Sequence, residues 1–377
     1  MNKTICIAGL LSEKNLGDIV IFESTENLYK EMLPQKDEFL FERLNLQFSN
    51  LSFVTRVIRR LIKVFLKIIK IDSINHELYL LRKHYKKQLK DAGLIVVVGG
   101  GLIKYKYQDF FIYLTALIDV AEKKGVPLVI NAAGVEGYDK YDLRCQLLKR
   151  SLNKNIVKSI TTRDDLVTLK QKYVKKERHN IIDKVADSAV CCNEVYKIEK
   201  KKSNIYGIGL VRGTIFLDNE INFGSEKVVA FYANLIKEME KRGLNYQLFT
   251  NGLPSDSELV NDIKEKLDRD ELVVLEPKTD AELVEIISGF TAVVAARLHA
   301  NIISYALNIP SVGLVWNDKL ALFGNDIGYP ERFFEYQNFS ADKIVDALIL
   351  ANKQGYEQKK WLEYKQTAKS NIEKVIS

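Results

Sequence analysis

A chain of 377 residues is too long for one ordinary core, and 47% hydrophobic content with only six prolines excludes a disordered polymer. No apolar run approaches the ~20 residues needed to span a bilayer, and Glu13 and Lys14 follow the short apolar start too closely for a signal peptide. The net charge of +7 is concentrated, because residues 54–90 hold eleven Lys or Arg against two acids, Asp72 and Glu77. Any nucleic-acid or membrane role would have to rest on that segment, and no nucleic-acid partner is expected.

In chain order, TICIAGLL, GLIVVVGGG, PLVINAAG and KSITT read as buried parallel strands bounded by glycine or polar turns. Helical patterns lie between them, such as IVIFESTENLYKEML and FIYLTALIDVAEKKG, the second stopping at Gly125 with Pro127 beyond. The charged stretch KIEKKKSN separates this half from a second series of strands: NIYGIGLVR, NYQLFTN, LVVLEP, TAVVAA and PSVGLVWN. The last stretch, YEQKKWLEYKQTAKSNIEKVI, reads as a terminal helix. This alternation predicts an α/β protein with two parallel sheets covered by helices. The expected division is 1–196, 203–350 and a C-terminal helix over 351–377.

Within the basic segment, VTRVIRRLIKVFLKIIK (54–70) carries Arg56, Arg59, Arg60, Lys63, Lys67 and Lys70. At about 100° per residue these fall within an arc of roughly 100°, and nearly everything else is apolar. The segment is expected to lie as a helix on the inner face of the cytoplasmic membrane. A helix packed on the first domain, or a dimer contact, stays open. The four cysteines, Cys6, Cys145, Cys191 and Cys192, lack metal spacing, and the adjacent pair cannot easily bridge. A reduced, cytoplasmic compartment and no metal are expected.

Ligands of open α/β sheets sit at the carboxyl ends of strands, so the residues there are the candidates. Gly99, Gly100 and Gly101 follow one strand, but Lys104 stands where a dinucleotide fingerprint needs glycine, which disfavours NAD or FAD. The glycines serve either tight packing or close approach to a ligand. In the turn Asn15-Leu16-Gly17-Asp18, Asp18 reads as the N-cap of the following helix, with a role as a base as the lesser reading. Arg163, ahead of Asp164 and Asp165, and Arg212, ahead of Gly213, place guanidinium groups at strand ends. Each could fork onto a carboxylate or phosphate, or form a surface ion pair.

The strongest site is TAVVAARLHANIISYALNIPSVGLVWNDK. Arg297 and His299 stand at a strand-to-helix junction, where a helix N-terminus favours anions, and Lys319 adds a cation after the next strand. His76, His84 and His179 lie in charged contexts and read as surface residues. No HExxH, CxxC pair, Walker loop or serine elbow supports a metal or covalent mechanism.

Taken in order, NLGD, LIVVVGGGLI, NAAGVEG, TTRDDL, VADSAV, GIGLVR and ARLHANIISYALNIPSVGLVWNDK resemble the polysaccharide pyruvyl transferases along nearly the whole chain. The resemblance implies two Rossmann-like domains of glycosyltransferase B type, with a cleft between them and a C-terminal helix crossing back. It implies transfer of pyruvate from phosphoenolpyruvate to a sugar of a cell-surface polysaccharide precursor, usually as a cyclic ketal. Arg297 and His299 then map to the donor site and Arg163 to the arginine of an Arg-Asp motif. His299 is expected as general acid, with Arg297 and Arg163 as donor anchors and Lys319 and Arg212 as further anion contacts. Gly17, Asp18 and Gly99–Gly101 are acceptor-side or loop candidates. Ser188 stands where the family commonly has proline, and WNDK replaces a Tyr-Asp-Pro-Lys pattern. No cofactor beyond phosphoenolpyruvate as co-substrate is implied. The acceptor sugar, its attachment to a lipid, the general base and the oligomeric state stay open. Two other readings remain: a glycosyltransferase of the same architecture using a nucleotide sugar, and a non-catalytic sugar-binding relative.

Overall fold

The computed structural model describes residues 4–11, 15–33, 38–47, 73–106 and 110–376. The membrane-surface helix expected over 54–70 lies outside them. Contacts divide the chain into two compact units. The first is Met1–Leu11, Leu28–Ala186 and Ser370–Ser377; the second is Ser12–Asn27 and Asp187–Lys369.

The first unit contains β1 (Thr4–Gly9), β2 (Leu40–Asn45), β3 (Ala92–Val98), β4 (Ile103–Lys104), β5 (Leu128–Ala133), β6 (Val135–Glu136), β7 (Val157–Thr162) and β8 (Ile182–Lys184). Six form a sheet in the order β2-β1-β3-β5-β7-β8, with every pair parallel. β4 and β6 make a separate two-stranded piece. Every residue of β1 and β5 is buried, as a parallel sheet covered on both faces requires. The edge strands differ. β2 (LFERLN) leaves Leu40 70% exposed, and β8 is only three residues long.

The helix Phe110–Lys124 buries ten side chains, including Phe111, Leu114 and Ile118. At roughly 1.5–3 kcal/mol for each large apolar side chain, this helix is a principal part of the core. It stops because Gly125 takes a φ of +70°, a left-handed turn that costs glycine nothing. The Val126 amide then bonds to Ala121 O at 3.0 Å, closing the terminal turn.

The helix Ser73–Gln88 is the described part of the basic segment. Leu78, Leu81 and Tyr85 face the core, and so does Leu89 just beyond it, while Lys83, Lys86, Lys87 and Lys90 are exposed. Arg82 binds Asp119, with Nε to Oδ2 at 2.8 Å, and so ties this helix to Phe110–Lys124.

The second unit contains β9 (Tyr206–Gly209), β10 (Tyr246–Phe249), β11 (Val274–Leu275), β12 (Ala292–Ala295), β13 (Ser311–Val315) and β14 (Phe333–Glu335). They form one parallel sheet in the order β11-β10-β9-β12-β13-β14. Counted within the unit, this is the 3-2-1-4-5-6 order of nucleotide-binding folds, and the direction of winding reverses between β9 and β12. The helix Gln358–Ile376 packs on this unit through Trp361, whose Nε1 donates to Tyr305 O at 2.6 Å, and Lys365, which reaches Asn193 Oδ1 at 2.8 Å.

Candidate active site at the carboxyl edge of the second sheet

The reversal between β9 and β12 selects the residues that leave those two strands, since ligands of open α/β sheets bind where the winding direction switches. β9 runs out through Leu210 and Val211 to Arg212, and β12 through Ala296 to Arg297 and His299. The nine-residue helix Leu298–Ala306 starts at once, with Arg297 in the N-cap position and no side-chain cap. Its first amide groups therefore face the exit of β12, where an anion would complement both them and the helix dipole. Wholly buried Asn301 fixes the turn, donating from Nδ2 to Ala295 O (3.1 Å) and Arg297 O (3.0 Å). Trp316, leaving β13, donates from Nε1 to Ala296 O at 2.6 Å and joins the two strand exits.

His299 is half-buried. Its imidazole lies directly on Gly17, where an added Cβ would stand 2.2 Å from Nδ1 and 2.5 Å from Cγ. Real atoms never approach so closely, so glycine at 17 is what allows the ring its position. His76, His84 and His179 are half-buried too. Burial thus does not single out His299, but its place at the strand exit does. Desolvation, then nearby Lys87, lowers the pKa of His84.

Asp18 is not the N-cap. Asn15 immediately precedes the helix Leu16–Met32, and Asp18 is its third residue, accepting a bond from Asn15 Nδ2 at 2.6 Å. The spacing is that of a capping box, in which an acidic or amide side chain at the third helical position reaches back to the cap residue.

Arg297 does not stand alone. Its Nε donates to Asp256 Oδ2 at 2.9 Å and its Nη2 to Asp256 Oδ1, while the carboxylate is wholly buried. Asp256 Oδ1 also accepts the Arg212 amide at 3.0 Å. The Arg212 side chain turns outward to Asp218, with Nε at 3.0 Å and Nη2 at 2.8 Å, in a half-exposed pair worth about 0–1 kcal/mol. Lys319 is half-buried in the first turn of the helix Asp318–Asp326, capped by Asn317, which follows β13. Nearby, burial and then Asp318 raise the Glu335 carboxyl above its ordinary value. The WN of WNDK thus serves packing and capping.

The other candidates belong to the first unit. Arg163, leaving β7, is 8% exposed, so it is not a surface residue. Its acidic neighbours face backbone: Asp164 Oδ1 accepts from Val135 N at 2.8 Å and Asp165 N at 2.7 Å, and Asp165 accepts from Thr168 N at 2.8 Å. The loop Gly99–Gly101 is bonded to the exit of β5, with Gly99 N to Asn131 O at 3.0 Å and Gly134 N to Gly100 O at 2.7 Å. Gly100 takes a φ of +76°, a left-handed backbone that favours glycine. Among the described residues, no group of three or more His, Cys, Asp or Glu could hold a metal ion, and the four cysteines are free and buried.

The profile of the polysaccharide pyruvyl transferase family matches residues 15–318. The chain belongs to that family. The match opens at Asn15, beside Gly17, and closes at Asp318, so it takes in Arg163, Arg212, Asp256, Arg297 and His299 and stops one residue short of Lys319. No curated protein matches this polysaccharide pyruvyl transferase family member. Solved structures similar to it include the UDP-GlcNAc 2-epimerase from Methanocaldococcus jannaschii, with a TM-score of 0.59, 11% identity and 99% of each chain covered. Another is the UDP-GlcNAc 2-epimerase from Neisseria meningitidis bound to UDP-GlcNAc, with a TM-score of 0.57, 12% identity and 99% of each chain covered. At such identities the likeness shows the fold alone, two Rossmann-like domains of glycosyltransferase B type.

Proposed function

We propose that this chain transfers pyruvate from phosphoenolpyruvate to a sugar of a cell-surface polysaccharide precursor, forming a cyclic ketal and releasing phosphate. The observation that carries this reading is the junction after β12, where Arg297 and His299 stand together at the switch point of the second sheet, with His299 seated on Gly17. Phosphoenolpyruvate bears a carboxylate and a phosphate, so fixed guanidinium and ammonium groups suit it. Arg297 and Lys319 leave adjacent strands of one sheet. Arg212, which follows β9 in the same sheet, would be a further anchor once released from Asp218.

The imidazolium of His299 gives its proton to the methylene carbon as the carbon–carbon double bond supplies the electron pair. The neighbouring carbon becomes cation-like and takes a sugar hydroxyl, whose proton leaves to a base. Phosphate then departs with its bonding pair, and a second hydroxyl of the same sugar attacks the cation-like carbon and gives up its proton, to the departing phosphate or to solvent, to close the ketal. A general acid contributes typically 10²–10⁴-fold to such a step, and a histidine, with an unperturbed pKa of about 6.5, can hold and give up this proton near neutral pH.

Turnover in D₂O with a panel of sugar precursors tests the reading. Phosphate should be released, and the new methyl group should carry one deuteron from solvent. His299→Ala should lose ~10²-fold or more in rate. Release of a nucleotide from nucleotide sugars, with phosphoenolpyruvate untouched, would transfer the chain to the glycosyltransferase reading.

The sequence of 54–70 supports placing the enzyme on the inner face of the cytoplasmic membrane, beside lipid-carried acceptors. Among the described residues no helix is long and apolar enough to cross a membrane. The protein should pellet with anionic vesicles, less so at high salt, and Leu61→Ser, Phe65→Ser and Ile68→Ser together should release it. Protein that stays in solution with such vesicles at low salt points to a soluble acceptor.

A further inference from the structure

Asp256 is the third residue of the helix Pro254–Leu267, which follows β10. Its side chain is wholly buried, and both carboxylate oxygens are engaged. One oxygen takes the Arg212 amide at the exit of β9, and both take Arg297 at the exit of β12, so a single carboxylate joins the two strand ends that flank the switch point. Tyr232, also buried, pins the same region by donating to Gly209 O at 3.1 Å.

We propose that Asp256 is a positioning residue of the donor site, which fixes Arg297 so that its guanidinium meets an anion end-on. A guanidinium has five N–H donors in a rigid plane. Two of them, on Nε and Nη2, are turned to Asp256. Of the three that are left, one on Nη1 and one on Nη2 converge at the end of the plane while the other Nη1 hydrogen points back beside Cδ, so that end alone can still fork onto a carboxylate or phosphate. The Nε side is closed to ligand.

Arg297 cannot swing away to offer that side, because doing so would leave a charged carboxylate buried without its partner. The first turn of a helix suits the carboxylate as well, since the helix dipole is positive there. As the pair is neutral overall, Arg297 supplies aimed hydrogen bonds more than net charge. An amide at 256 would present N–H groups to a site where only acceptors fit, and would push the guanidinium out of line. Acids are ordinary in the first turn of a helix, so the sequence around Pro254 gave no cue to this role.

This inference rests on phosphoenolpyruvate being the donor, and calorimetry separates the two claims. Phosphoenolpyruvate should bind the wild type, bind Asp256→Asn about tenfold more weakly, as expected for loss of an aimed charge-assisted contact, and bind Arg297→Ala and the double variant equally. A purely structural role would lower stability without depending on Arg297. Folded Asp256→Asn that binds as the wild type does, or losses that add in the double variant, would overturn the positioning role and leave the donor assignment intact. No binding to the wild type would remove both. Should either variant fail to fold, a crystal structure of the wild type with phosphoenolpyruvate decides. An anion on the Nη1 end with the Asp256 bonds kept supports the inference, and an anion on the Nε side with Asp256 released refutes it.

Discussion

At the scale of single residues, the contact between Gly17 and His299 is the sharpest constraint on the site. Gly17 does not adopt a left-handed backbone, so an alanine there is opposed by the imidazole and not by backbone strain. Gly17→Ala should therefore cost about 1–3 kcal/mol of stability, the range for overpacking, and much less in a His299→Gly background, which removes both the ring and the His299 Cβ that would stand 2.7 Å from the added methyl. Its turnover should fall toward that of His299→Ala, because under the proposed mechanism a displaced ring could not protonate the methylene carbon. Thermal melts of the four proteins check this cycle, and equal costs in both backgrounds would show that something other than the ring meets residue 17. Arg297 and His299 were legible in the sequence because an apolar run stops just before them and a helical pattern starts just after. Gly17 stood out only as part of a turn, since nothing local ties it to a histidine so far along the chain. The ion pair of Arg297 with Asp256 was not legible for the same reason.

At the scale of elements, the central strands were readable because both faces are buried, which leaves runs such as LIVVV and AVVAA without polar interruption. β2, β8 and β14 were not, since edge strands are short or carry charges such as Glu42, Arg43, Asp183 and Glu335. Caps were only partly readable. Asp18 reads as a cap in the sequence but is the third helical residue, with Asn15 ahead of the helix, and Asp142, which the sequence did not single out, caps the helix Leu143–Leu152 by accepting from Arg144 N at 2.8 Å. The Arg144 side chain, bonded to the same carboxylate, holds the pKa of Asp142 down at about 2, against an ordinary 3.8. A carboxyl whose pKa is lowered by folding stabilises the native state above its unfolded value and loses that effect as pH falls through the folded one. Asp142→Ala should accordingly cost ~1 kcal/mol at neutral pH, and the difference from wild type should close between pH 3.8 and about 2. Denaturant unfolding across that range measures it; a gap that is constant with pH would mean the carboxylate's charge plays no part.

At the scale of the whole molecule, two parallel sheets could be read from alternating strands and helices, but strand order could not, because it depends on which strands meet. That order matters here. It sets β9 beside β12 in the second sheet and so makes the residues after them one site. Contacts also assign Ser12–Asn27 to the second unit although β1 belongs to the first, which is how Gly17 comes to lie under His299. The outcome is a family member in which Arg212, Arg297, His299 and Lys319 all follow strands of one sheet at its carboxyl edge.

Thermal unfolding with and without phosphoenolpyruvate tests the central claim most directly, since it needs no acceptor. A ligand bound only by the native state at about 100 times its Kd adds roughly 2.7 kcal/mol of stability. Phosphoenolpyruvate should raise the Tm of the wild type, with a smaller rise in Arg297→Ala, while UDP-GlcNAc leaves the Tm unchanged. A Tm that rises with UDP-GlcNAc and not with phosphoenolpyruvate would contradict the account.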